Sequence, residues 1–347
     1  MDAILHIGVT KTGTTTIQRF LRENRQPLSG QGVFVPMSVM PAKPTIGQHV
    51  GLTALSSGLA GNSVRAALSL RRMFPVNGDL AITLDELRRD FVAEMRKARG
   101  HRMAILSAEG LNRLEPPEVT ALHDLLSGLV GKLTVLIYLR RQDLHAVSRF
   151  SSILRMTNPD SVLFRDPPPP RHLFDELAER YAAVFGRENI MIRLFQPDKL
   201  AGGDALSDFR HVCGIEDDAA FTLPARQNEK LSARQVAFLH HMLRANDGLA
   251  LPSAVRQLVL DMPDCGRTFM PARAEAEAYY RQFTEGNARI ARDYFGTDGP
   301  LFDEDFSMYP QSAALDDCIT LNDMAHVMVK HLNAGKKIRR GKRKQKA

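Results

Sequence analysis

Ala3-Ile4-Leu5-His6-Ile7-Gly8-Val9-Thr10-Lys11-Thr12-Gly13-Thr14-Thr15-Thr16-Ile17 is the stretch on which the fold turns. Ala3–Ile7 is short and largely apolar, which predicts a buried strand. Ile17, Phe20 and Leu21 recur at helical spacing, which predicts a helix beginning near Thr14. The Gly/Thr-rich turn between them points its backbone toward a helix start, and such a turn forms a cradle for an anion. A threonine-rich helix cap with no ligand is the plainer alternative.

Working outward, apolar strands are expected at Met103–Leu106, Leu133–Tyr138 and Ile190–Leu194. Helical patterns lie between them: 50–59, 63–72, 83–98, from Pro116 to Leu129, 142–156 and 172–185. At 83–98, Thr83 and Glu86 read as a capping box, ahead of Leu87, Phe91 and Met95. From about 205 onward the patterns are helical, near 205–213, 232–245, 272–294 and 320–333. Strands separated by helices imply a parallel sheet with crossovers. The expected fold is therefore α/β, a parallel sheet flanked by helices with a mostly helical C-terminal region, read as one domain over 1–335. Ligands of such sheets lie at the carboxyl ends of the strands. That directs attention to Gly8–Thr16, Ser107–Gly110 and Arg140–Ser148.

Gly8 and Gly13 have the G-x4-G spacing of a Walker A loop, but Thr14 stands where that motif places lysine. The lysine is Lys11, inside the loop. A nucleoside-triphosphatase also needs an acid at a strand end to hold Mg²⁺. The nearest candidate, Leu80-Ala81-Ile82-Thr83-Leu84-Asp85-Glu86, reads better as a helix start. A sulfuryl group carries less charge than a phosphoryl group and depends less on a metal clamp. No metal site is expected, because Cys213, Cys265 and Cys318 have no ligand spacing with one another or with histidine. Three scattered cysteines suit structural thiols in a reducing compartment.

The run Ile4–Gly8 followed by Lys11-Thr12-Gly13-Thr14-Thr15 resembles the 5′-phosphosulfate loop of the sulfotransferase family. A second segment, Val135-Leu136-Ile137-Tyr138-Leu139-Arg140-Arg141-Gln142-Asp143 with Ser148 beyond it, is similar to that family's 3′-phosphate signature, an arginine at a strand end and a serine eight residues on. More diffuse likeness runs through Phe185–Ile190 with Phe195, and through Asn287–Arg292 with Tyr294-Phe295-Gly296. The resemblance implies a P-loop-NTPase-like fold and 3′-phosphoadenylyl sulfate (PAPS) as donor, with 3′,5′-bisphosphoadenosine (PAP) as product and no metal. It implies that Lys11, Thr12, Gly13, Thr14, Thr15 and Thr16 hold the 5′ end, and that Arg140 and Ser148 hold the 3′-phosphate. Lys11 would also stabilise the bridging oxygen as the S–O bond breaks. The rivals are a P-loop nucleotide kinase and a non-catalytic nucleotide- or glycan-binding relative.

Sulfuryl transfer to a hydroxyl or amine needs a base. Glu109, after the strand at 103–106, and His49, in an irregular region that could fold over the site, are both candidates, and the family pattern does not choose between them. The acceptor stays open: a carbohydrate, a glycolipid or other lipid-linked sugar, and a small alcohol are all reasonable, and the chain has no Trp and six Tyr to form a sugar platform.

The net charge of +7 suggests a polyanion partner, but it is local. Residues 336–347 carry eight basic side chains, and removing them leaves the rest at −1. No nucleic-acid partner is expected of the body. The basic segment reads as disordered and able to touch an anionic surface, or as a solubilising end. No apolar run reaches the roughly 18–20 residues of a membrane helix, and no basic run precedes Ala3–Ile7 as in a signal peptide. A cytoplasmic setting is expected.

Overall fold

Asp2–Ile7 forms β1, the middle strand of a five-stranded sheet, and it is buried from Ala3 onward. The computed structural model describes residues 1–41, 47–71, 80–156, 162–224, 231–246, 249, 251–262, 265–313, 315, 318–325 and 328–330. After β1 the chain runs through α1 (Thr14–Glu23), α2 (Arg25–Gly30), β2 (Val33–Phe34), α3 (Val50–Leu59), α4 (Ser63–Leu70) and α5 (Leu80–Lys97). It continues through β3 (Met103–Ala108), α6 (Pro116–Ser127), β4 (Leu133–Leu139), α7 (Gln142–Arg155), α8 (Phe174–Phe185) and β5 (Ile190–Leu194). The last elements are α9 (Ala205–Val212), α10 (Ala233–Ala245), α11 (Ser253–Leu260), α12 (Arg273–Arg281) and α13 (Thr284–Phe295).

The strand order is β2-β3-β1-β4-β5, and every pairing is parallel. This is the parallel α/β sheet expected from the strand–helix alternation, with the P-loop-like character that the resemblance implied. Parallel strands need crossovers, and the crossovers cover both faces, so β1, β3 and β4 can be apolar on both sides. The described residues fall into two compact units. One comprises Met1–Arg141, Pro169–Arg226 and Thr284–Phe302; the other comprises Gln142–Pro168, Gln227–Phe283 and Asp303–Ala347.

In the first unit, one side of the sheet is sealed by Ile17, Phe20 and Leu21 of α1 and Phe209 of α9, packed on Ile4, Ile105, Leu136 and Tyr138. Each such side chain contributes roughly 1.5–3 kcal/mol on burial. Asp208 of α9 is fully buried and ties three elements together. It accepts from the Tyr138 hydroxyl on β4 at 2.8 Å and from the Arg193 guanidinium on β5, Nε lying at 3.0 Å. The Ala201 N–H adds a bond at 2.9 Å. Burial opposes ionisation of Asp208, but these donors outweigh it and hold the carboxyl below its usual range.

In the second unit, Phe150 and Leu154 of α7 pack with Val236 and Leu239 of α10 and with Val259 of α11. A capping box of Ser232 and Gln235 starts α10. The buried Tyr309 hydroxyl donates to Asp143 Oδ2 at 2.5 Å.

Two sequence expectations are corrected. α5 begins at Leu80, so Thr83 and Glu86 lie inside the helix rather than capping it, and the stretch carrying Asp85 is helix, not a strand end. The pattern over 272–294 is two helices, α12 and α13, broken at Gln282 and Phe283. The basic stretch 336–347 lies outside the described residues. No helix among the described residues is long and apolar enough to cross a membrane.

Candidate functional site

The turn after β1 is built around two residues with left-handed backbone. Lys11 has φ 66° and Gly13 has φ 79°. Among the described residues Lys11 is the one non-glycine with positive φ, a conformation that costs an L-residue roughly 1–2 kcal/mol. Strain of this kind persists where the surroundings hold it, and it concentrates at functional sites. Here the surroundings are explicit. Arg140, at the end of β4, donates through Nη1 to the Lys11 carbonyl at 3.1 Å. The buried Thr12 hydroxyl donates to the Val9 carbonyl at 2.6 Å, and Asn112 Nδ2 donates to the Gly8 carbonyl at 2.6 Å.

Both glycines are required by close approach. A Cβ on Gly8 would stand 2.3 Å from Thr14 Cγ2, and one on Gly13 would stand 2.6 Å from the Ala205 Cβ. Gly13 occupies the N-cap of α1 and supplies no side-chain cap, and the first turn carries no acid. The first N–H groups of a helix have no intrahelical partner. Here the Thr16 N–H turns back to the Gly13 carbonyl at 3.0 Å, which leaves the N–H groups of Thr14 and Thr15 as donors at a positive dipole end, with a lysine in the turn just before them. Thr15 and Thr16 are exposed at that end, whereas Thr14 is buried.

Glu109 follows β3, the neighbour of β1, and begins a 3₁₀ turn over Glu109–Arg113. The Thr14 hydroxyl donates to Glu109 Oε1 at 2.8 Å. Lys11, Thr14, Glu109 and Arg140 therefore gather at the carboxyl ends of β1, β3 and β4. Thr12 and Thr14 spend their hydroxyl protons inside the protein, so toward a ligand they offer backbone N–H groups.

His49 has a different place. Its backbone N–H donates to the Ser107 carbonyl at 2.8 Å, and its ring Nδ1 accepts from the Ser107 N–H at 2.9 Å. The residue thereby completes the outer edge of β3 beyond the point where the two-residue β2 ends. It is fully buried, and burial pushes its pKa down to about 4 against smaller upward pulls from Ser107, Pro36 and Glu94. His6, on β1, is equally buried and pushed down to about 3 by burial. Ser107 Oγ accepts from Gln18 Nε2 at 3.2 Å and lies 2.8 Å from His6 Nδ1. Both histidines are held as neutral wall residues.

Comparison with known proteins adds little. No protein-family model matches the chain, and no curated protein matches it. Among solved structures it is similar to a sulfotransferase from Alicyclobacillus acidocaldarius, at 15% identity over 73% of this chain and 98% of that one, with a TM-score of 0.37. It is also similar to the sulfotransferase domain of the Synechococcus PCC 7002 olefin synthase, at 12% identity over 81% of this chain and 94% of that one, with a TM-score of 0.31. Likenesses this distant carry no weight for the activity.

Ser148 lies half-buried on α7, in the second compact unit, while Arg140 belongs to the first. Sequence reading named Phe195 only within a diffuse likeness and passed over Asn112. Phe195, directly after β5, lies under the Arg140 guanidinium at 5.5 Å and packs near Gly13. Asn112 braces the loop through Gly8. The signal for Phe195 was available, since it follows a strand just as Gly8, Glu109 and Arg140 do. Asn112 carried none, because its reach depends on the 3₁₀ turn. Among the described residues no group of three or more His, Cys, Asp or Glu is arranged to hold a metal ion.

Proposed function

We propose that this protein transfers a sulfuryl group from PAPS to a hydroxyl acceptor. The observation that carries the reading is the uncapped start of α1 beside Lys11, with Glu109 tied to its first residue through Thr14 at 2.8 Å. The 5′-phosphate end of the donor suits the N–H groups of Thr14 and Thr15, joined by the Thr15 and Thr16 hydroxyls. Arg140 stands at the end of β4 to take the 3′-phosphate with its forked donors. Ser148 enters as its partner on sequence spacing alone.

In the transfer, Glu109 takes the proton of the acceptor hydroxyl and the acceptor oxygen forms a bond to sulfur. The bond from sulfur to the bridging phosphate oxygen breaks, and PAP leaves. The Lys11 ammonium offsets the charge that grows on that oxygen. The lysine position favours this reading over phosphoryl transfer, because Thr14 stands where a kinase needs its lysine and α5 supplies no strand-end acid. A carbohydrate, a lipid-linked sugar and a small alcohol are the acceptor classes to assay.

Calorimetry with PAP and with ATP, each with and without Mg²⁺, tests the donor. PAP should bind without Mg²⁺ and ahead of Mg-ATP; a preference for Mg-ATP overturns the reading. Lys11→Ala should lower transfer of labelled sulfuryl groups to a panel of hydroxyl acceptors by about 10²–10³-fold, the usual loss when one charge-stabilising donor is removed. Undiminished transfer by a folded Lys11→Ala protein rejects the mechanism.

A further inference from the structure

Thr14 stands where a Walker A loop places lysine, and it meets the site on two sides. Its backbone N–H belongs to the open start of α1. Its hydroxyl turns the other way and donates to Glu109 Oε1 at 2.8 Å. The residue is buried, so the hydroxyl has no solvent to exchange that bond for. Among the described residues no group donates to the other carboxylate oxygen, Oε2, which leaves it to meet a substrate proton.

The packing around the bond is close. Gly8 has no positive φ, so its backbone does not call for glycine. Space does: a Cβ there would collide with Thr14 Cγ2 and stand 3.3 Å from Glu109 Cγ. The missing side chain at Gly8 lets Thr14 and Glu109 close on each other at the carboxyl ends of β1 and β3. Asn112, in the same 3₁₀ turn as Glu109, holds the Gly8 carbonyl at 2.6 Å and fixes the turn against the loop. A glutamate at a strand end otherwise turns freely about its side-chain bonds. Misplacing a reacting group by about 1 Å costs on the order of 10²-fold in rate.

We infer that Thr14 is the positioning residue of the proton acceptor: its hydroxyl fixes Glu109 Oε1 and thereby aims Oε2 at the acceptor hydroxyl, while its N–H serves the donor. The inference rests on the proposed sulfuryl transfer and names the residue that stands between donor and base. It also explains why a hydroxyl, and not an ammonium, occupies this position of the loop.

Two pairs of proteins differ at the hydroxyl while keeping the rest of the side chain. Wild type and Thr14→Val share one shape, and Thr14→Ser and Thr14→Ala both lack Cγ2. Turnover of PAPS with a hydroxyl acceptor should fall about 10²-fold from the first to the second member of each pair. Calorimetric affinity for PAP should stay the same within each pair. Thr14→Val added to Glu109→Gln should cost nothing further, because a residue acting through another loses its effect once that other is gone. A threonine with a purely structural role would add its loss in that background as well. Equal turnover within the pairs, a PAP affinity that falls with turnover, or a further loss in the Glu109→Gln background overturns the inference and leaves the transfer reaction standing. A wild-type protein that binds no PAP and transfers to no acceptor overturns the proposed function, and this inference with it.

Discussion

Glu109 and His49 looked alike as proton acceptors in the sequence, and their surroundings separate them. Glu109 is half-buried at a strand end and receives one hydroxyl proton, from Thr14. His49 is sealed in the protein, with ring Nδ1 accepting from the Ser107 N–H and Nε2 buried away from the site's solvent. Glu109→Gln keeps the size of the side chain and an oxygen for Thr14 but cannot take a proton. Turnover should fall by about 10²–10⁴-fold, with the calorimetric affinity for PAP unchanged. If affinity falls with turnover, Glu109 is holding ligand rather than moving a proton. The separation was invisible in sequence because it depends on where the irregular stretch before α3 runs. Nothing in the residues from Val35 to Gln48 announces that His49 returns to the edge of β3.

Elements with strong periodicity and clear ends were legible: β1, β3, β4, β5, α1, α3, α6 and α8 lie within a few residues of expectation. Short ones were not. α2 carries Pro27 in its first turn and ends at Gly30, and β2 is two residues long. Neither holds enough residues for a period to show. The capping-box pattern at Thr83 misled because the same residue types occur inside helices, where position in the chain decides their role. The tie among α9, β4 and β5 could not be read at all, since Asp208, Tyr138 and Arg193 are far apart in sequence. Arg193→Ala leaves the fully buried Asp208 without its cation and should destabilise the protein by roughly 3 kcal/mol in urea titrations near neutral pH. The folded carboxyl lies below its unfolded value, so its stabilising contribution is complete above the unfolded value and is lost as pH falls through the folded one. The gap between wild type and variant should therefore narrow in acid. A gap that stays constant into strong acid means the ion pair is not its source.

For the whole molecule, the two buried histidines set a slope. Both have folded pKa values below the unfolded value of about 6.5, His49 at about 4 and His6 at about 3. Below the unfolded value the unfolded chain binds protons that the folded chain refuses. Stability should fall with pH by about 1.4 kcal/mol per pH unit for each histidine once that value is passed. Denaturation midpoints between pH 7 and 5 should show the fall, and His6→Asn should flatten it. An identical slope in that variant assigns the acid sensitivity elsewhere. The sheet itself followed from strand and helix alternation, but the division into two compact units did not. α7 directly follows β4 in the chain and yet packs with α10 and α11, helices about a hundred residues further on.

The hydrogen bond from Arg140 to the Lys11 carbonyl joins two elements that, under the proposed function, the donor nucleotide would touch at opposite ends. A guanidinium engaged by an anion at the end of β4 has that much less to give to the left-handed turn, and a turn filled by its own anion presents an altered carbonyl to the guanidinium. Any such coupling is reciprocal: each occupant changes the affinity for the other by the same factor. Two separate fragments, one carrying the 3′-phosphate and one the 5′ end, would then bind with affinities that do not simply multiply, and the departure from simple multiplication measures the strength of that one bond.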